Sequence, residues 1–165
     1  MAKKGRETDK AKAPGEAIHV VARNRRARFE FDLLEKVEAG LVLTGTEVKS
    51  LRNGKASLEE AYAGVDRGEV WLYGCDIPEY LQANRMNHKP KRPRKLLLHR
   101  REIDKVAAKT SERGLTLVPL QIYFKKGMAK VELCVARGRK QHDKRDALKA
   151  QDARREMDRA LRRRD

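Results

Sequence analysis

Four histidines, two cysteines and the carboxylates Glu38 and Glu47 are the residues of this chain that could move protons, attack carbonyls or hold metal. His19, His88, His99 and His142 are scattered, and none stands at metal-ligand spacing from a Cys or a second His. The sequence holds no phosphate-cradling glycine loop and no nucleophile elbow. His142 and Asp143 are neighbours in a hydrophilic segment, which cannot hold a base and its orienting partner rigidly. Glu38 and Glu47 read as solvated edge carboxylates rather than an acid/base pair. Cys75 and Cys134 lie far apart among apolar residues, as buried free thiols do, and not as a disulfide or metal pair. No catalytic residue, metal ligand or cofactor is expected. What remains is binding.

The binding chemistry is concentrated between Arg85 and Arg101. These seventeen residues carry eight Lys or Arg, Lys95 among them, and no Asp or Glu. Such a run repels itself unless a polyanion neutralises it, and it leads into Leu96-Leu97-Leu98, apolar enough to anchor in a fold. Two of these leucines suit a core; an exposed Leu97 or His99 would stack on a base or pack on a sugar. The net charge of +16 is uneven: residues 29–84 are net −6, whereas 85–101 are +8 and 137–165 are +6. A two-faced molecule follows, with nucleic acid on the basic face, since counterion release drives such binding. An anionic membrane is the rival partner. It would ask for an anchor, but Met1-Ala2 lacks the glycine needed for myristoylation, and no apolar run reaches membrane or signal-peptide length. A cytoplasmic protein without membrane contact is expected. Aromatic residues make up only 5%, so shape recognition of a folded RNA suits the chain better than a long single-strand stacking platform. Glu38 has two readings. It accepts hydrogen bonds from a base amino or ribose hydroxyl, or it forms a salt bridge to Lys36 or Arg52, which composition alone favours.

These residues need a frame. Residues 1–16 are polar and broken by Gly and Pro, and are expected to be disordered. Residues 17–136 hold the apolar content. Ala17–Val21 is β-prone, and Phe29, Phe31 and Leu33 alternate as a strand that continues through a bend at Ala39-Gly40 to Leu43. Thr44–Glu47 interrupts the strand pattern, and Val48–Arg52 fit a short helix that stops at Asn53-Gly54. Asp66-Arg67-Gly68 predicts a hairpin whose second strand faces Val70, Leu72 and Gly74 one way and Trp71, Tyr73 and Cys75 the other. Residues 79–95 read as a loop, Arg100–Lys109 as a helix, and Leu115–Phe124 as a strand turning at Lys125–Met128 into a last one. The fold class is mainly β with short helices. An OB-like antiparallel β-barrel with three helices and a basic C-terminal tail fits best, and an open α+β sandwich is the other arrangement. Residues 137–165 form the tail, in which Lys144–Arg164 has helical composition with a thin apolar stripe. It is expected to be disordered alone and helical on a polyanion.

Three segments also resemble the SsrA-binding protein (SmpB) family: Glu38–Arg52, Arg94–Ile103 and Gly138–Arg145. The similarity runs from about Ala17 to the C-terminus. It implies an OB-like barrel that binds the tRNA-like domain of transfer-messenger RNA and enters the vacant A site of stalled ribosomes. Elongation factor Tu takes part indirectly through the RNA, for trans-translation and tagging of incomplete peptides. By position, Glu38 and Leu97 match family residues needed for RNA binding, Lys130 matches a basic position on the RNA face, and His99 stands where some members have Asn. Phe29 and Phe31 stand where relatives often place His and Tyr. Gly138, Arg139, Lys140, His142, Asp143, Lys144 and Arg145 fall at the start of the tail, which the resemblance places against small-subunit ribosomal RNA. A monomer is expected. The runner-up is a general ribosomal or single-strand RNA-binding module.

Overall fold

A computed structural model describes residues 17–83 and 85–162. The disorder expected of residues 1–16 lies outside the described residues, as do Arg163 and Arg164. The elements run β1 (His19–Arg23), α1 (Ala27–Glu30), β2 (Phe31–Leu41), α2 (Gly45–Arg52), β3 (Tyr62–Asp66), β4 (Glu69–Tyr73), β5 (Arg94–Leu97), α3 (Arg100–Thr110), β6 (Leu115–Lys125), β7 (Met128–Gly138) and α4 (Gln141–Arg162). All strand pairs are antiparallel.

The order β1-β6-β3-β4-β5-β2-β7, with β6 also paired to β7, closes a ring of six strands beside which β1 lies as an extra. The extra strand is accommodated because β6 is eleven residues long, enough to serve two neighbours along one edge. β6 meets β1 at Gln121–Phe124 and β3 at Leu117, while its other edge pairs with β7 throughout. Inside the ring, Val70, Leu72, Leu96, Leu117, Ile122, Val131 and Leu133 pack with Leu51 of α2 and Val106 of α3. Ala27, Val118, Leu120, Cys134 and Ala136 form a smaller cluster under Phe31 and Leu33.

Both two-residue turns occur where expected. Arg67-Gly68 and Lys126-Gly127 have positive φ at both positions, which suits the twist of the flanking strands. Three local expectations change. Phe29 is not in a strand: the buried Asn24 accepts the Ala27 N–H at 3.1 Å and donates to the Leu58 and Pro119 carbonyls, so the chain winds one helical turn before β2 begins. β2 then runs through Ala39-Gly40 without a break and ends at Leu41. Cys75 does not share a face with Trp71 and Tyr73. Gly74 sits at φ +69, where a Cβ would lie 2.6 Å from the Glu60 carbonyl oxygen. The alternation reverses there, and Cys75 joins Val70 and Leu72 in the core.

Candidate nucleic-acid interface

The basic run is partly neutralised from within the protein. Arg94 and Glu47 are both shut off from solvent, at 0% exposure. Arg94 donates Nε–H to Glu47 Oε1 at 2.9 Å, Nη1 to the Cys75 and Arg92 carbonyls, and Nη2 to the Pro90 carbonyl. Arg92 grips the same carboxylate with two bonds, Nε to Oε1 at 2.6 Å and Nη2 to Oε2 at 2.5 Å. The Thr44 N–H also donates to Glu47 Oε2 at 2.8 Å, so one side chain caps α2 and anchors β5. Burial alone would raise the Glu47 pKa; the Arg92 bonds, the Thr44 amide and the Arg94 charge outweigh it and hold the carboxyl below its ordinary value. Lys91 pairs with Glu60 at 3.0 Å, Lys95 with Glu69 at 2.5 Å and Arg100 with Asp104 at 3.4 Å. Among the described residues, five of the eight cations thus meet four carboxylates of the protein, three of which (Glu47, Glu60 and Glu69) come from the acidic stretch upstream. Glu47 is therefore no solvated edge group, and the run is not the bare cationic patch its composition implied. Buried His88 pins the preceding loop. Its Nε2–H donates to the Ile77 carbonyl at 2.8 Å, which leaves Nδ1 to accept from the Thr46 hydroxyl at 2.9 Å.

A groove of about 330 Å³ opens where β2, β5, α3 and β7 meet, lined by Glu38, Gly40, Leu97, Leu98, His99, Glu102 and Lys130. Register explains the assembly: Gly40 of β2 stands opposite Leu97 of β5 on one side and Lys130 of β7 on the other. Of the leucine triplet, Leu96 is buried, Leu98 packs partly on the core, and Leu97 turns outward at 55% exposure. Leu97 rests over Gly40, where a Cβ would approach its own Cβ to 3.3 Å. His99 starts α3, its N–H donating to Glu102 Oε2 at 2.9 Å. Glu38 takes Lys130 Nζ on Oε1 at 2.6 Å and the Tyr123 hydroxyl on Oε2, with Lys125 Nζ 3.8 Å away. The Lys130 and Tyr123 hydrogen bonds hold the Glu38 carboxyl below its usual range. Burial, and then Glu38, push the Tyr123 phenol up, so it remains a donor.

Glu38, Leu97, His99 and Lys130, separated by up to 92 residues, thus share one groove. Lys95 does not line it; it lies two residues back on β5, opposite Trp71, held by Glu69. Glu38 pairs with neither Lys36 nor Arg52. Lys36 is taken by Glu132 at 3.1 Å, because the closed sheet brings a nearer partner across β7. Tyr123 and Lys125 were missed from the sequence, since only the β2–β7 and β6–β7 registers together set them beside Glu38. A separate recess, of about 600 Å³ and basic where the groove is not, is lined by Arg23, Arg25, Arg28 and Lys36 with Gln121 and Glu132.

The SmpB protein family model matches residues 21–163. The chain belongs to the SmpB family. The SsrA-binding protein of Thermobifida fusca (strain YX) is 54% identical over 164 residues, covering 99% of each chain. That of Nitrobacter hamburgensis (strain DSM 10229 / NCIMB 13809 / X14) is 56% identical over 147 residues, 88% of this chain and 94% of the relative. A solved structure described as "tmRNA-SmpB: a journey to the center of the bacterial ribosome" superposes with a TM-score of 0.63 at 45% identity, covering 76% of this chain and 92% of that one.

The SmpB family match takes in the C-terminal segment as well. Gly138 is the last residue of β7, opposite Phe31, so the barrel reaches two residues into the expected tail. Arg139 is clamped to the body: its N–H donates to the Glu30 carbonyl at 2.9 Å and its Nε to Asp32 Oδ1 at 2.7 Å. Beyond Lys140, α4 begins at Gln141, three residues earlier than its composition suggests, and carries His142, Asp143, Lys144 and Arg145 in its first turns. It meets the body at α1 and keeps its apolar stripe open, with Met157 and Leu161 61% and 65% exposed. Among the described residues no helix is long and apolar enough to cross a membrane, and no group of three His, Cys, Asp or Glu is arranged to hold a metal ion.

Proposed function

We propose that this chain binds the tRNA-like domain of transfer-messenger RNA and brings it to the vacant A site of stalled ribosomes, so that incomplete peptides are tagged. The observation that carries this reading is the convergence of Glu38, Leu97, His99 and Lys130 in one groove, in a chain matched over 99% of its length by an SsrA-binding protein. The groove joins a charged wall to an apolar shelf, so it rewards the contour of a folded RNA more than charge alone. Lys95, outside the groove, supplies a backing phosphate contact once it leaves Glu69.

The tail serves a second RNA. Gly138 and Arg139 fix where it leaves the barrel, and Lys140, His142, Asp143, Lys144 and Arg145 meet small-subunit ribosomal RNA. A 22-residue helix with so little to pack against is marginal in water, so α4 becomes permanent only on that RNA. An intact message would occupy the same channel, and tail docking thereby tests for vacancy. The protein works as a cytoplasmic monomer without catalysing a reaction, and elongation factor Tu reaches the complex through the RNA.

The test is a binding competition between the tRNA-like domain and tRNA of equal charge, over a salt series. Wild type should keep its preference for the tRNA-like domain in high salt, whereas Glu38→Ala and Leu97→Ala should each lose most of it. If both variants discriminate like wild type, the groove is not the recognition surface. A protein that releases both RNAs together as salt rises is a general RNA binder.

A further inference from the structure

The polar wall of the groove is already satisfied internally. Glu38, on β2, receives Lys130 on one carboxylate oxygen and the Tyr123 hydroxyl on the other, with Lys125 in ion-pair range of the second oxygen. The donors come from β6 and β7, whose register sets Tyr123 directly opposite Lys130. Three paired strands therefore hold the cluster in place. Two of the roughly four acceptor sites of this carboxylate are already taken, and the charge of the Lys130 ammonium is already met by an anion, so neither group offers RNA its full strength.

We propose that Glu38 acts as a restraint on Lys130, the lysine that lines the groove, keeping it in an internal pair that a phosphate gains little by displacing. RNA then binds well only where it also fills the shelf made by Leu97 over Gly40. Selectivity arises by suppressing binding of generic phosphate backbones, not by an added contact to the cognate RNA. An exchange of Lys130 from Glu38 to a phosphate swaps one anion for another, so its net effect on affinity is small. The apolar shelf has no such internal competitor. This inference rests on the groove being the RNA site.

The test uses the full chain as wild type, Glu38→Gln and the double variant Glu38→Gln/Lys130→Met. The two probes are the tRNA-like domain and an RNA duplex with the same number of phosphates. Releasing Lys130 should tighten Glu38→Gln binding to the duplex several-fold at low salt. It should also steepen the slope of log affinity against log salt by about 0.9, roughly a three- to fourfold greater loss between about 50 and 200 mM salt. The preference for the tRNA-like domain should fall accordingly. Adding Lys130→Met should return the slope to that of wild type. If Glu38→Gln instead weakens only the tRNA-like domain and leaves the slope unchanged, Glu38 contacts the RNA directly and the restraint is disproved. Leu97→Ala separates the two levels: were it silent on the tRNA-like domain, the assignment of the groove would fail first and the restraint with it.

Discussion

Glu47 shows how much can hang on one carboxylate. Buried with Arg94 and gripped by Arg92, it is tolerable only because its partners accompany it out of water. Among the described residues no buried side-chain nitrogen or oxygen lacks a hydrogen-bond partner. Glu47→Ala would strand the buried Arg94 guanidinium, and should cost about 3–5 kcal/mol in urea denaturation. The pH dependence has a definite sign. The folded pKa of Glu47 lies below its unfolded value, so the stability it contributes is present above about pH 4.3 and is lost as pH falls through the folded value. Glu47→Gln should therefore flatten the stability profile across that acid window, as denaturation at a series of pH values would reveal. At this scale the sequence misled: the stretch 85–101 looked self-repelling because its counterions, Glu47, Glu60 and Glu69, lie upstream in the chain.

At the level of elements, turns and caps were legible and strand faces less so. The Asn53-Gly54 helix stop, the Arg67-Gly68 turn and the Lys126-Gly127 turn are local signals, each decided within four residues, and each formed where expected. The face of Cys75 was not local. It depends on Gly74 adopting a left-handed conformation against the Glu60 carbonyl, a contact made across the fold. Gly74→Ala should lower stability by more than the roughly 1–3 kcal/mol of a strained backbone, since the new Cβ also collides with main chain. Thermal denaturation is the check. An unchanged melting temperature would mean that the loop before β3 yields freely. The one-turn α1 depends in the same way on Asn24 reaching Leu58 and Pro119, which no periodicity in Arg25–Phe31 announces.

For the whole molecule, ring closure by β6 and β7 gives a body that ends at Gly138, with α4 projecting from a clamped Arg139. Truncation after Gly138 should leave binding of the tRNA-like domain near wild type while abolishing tagging on stalled ribosomes, because the barrel and its groove are complete without α4. A filter-binding assay beside a reconstituted tagging reaction tests both halves. Loss of RNA binding on truncation would show that α4 belongs to the first interface.

What the sequence determined by itself was whatever short-range physics carries: alternation for strands, glycine at turns, helical composition in the tail, and an excess of charge that points to nucleic acid. The three motif blocks supplied the family resemblance and, with it, Glu38, Leu97 and Lys130 as candidates. Which of those residues touch, and which cations are spent inside the protein, only the tertiary structure decided. Ion pairs and grooves form between strands distant in sequence, and a one-residue change of register would give every lysine a different partner.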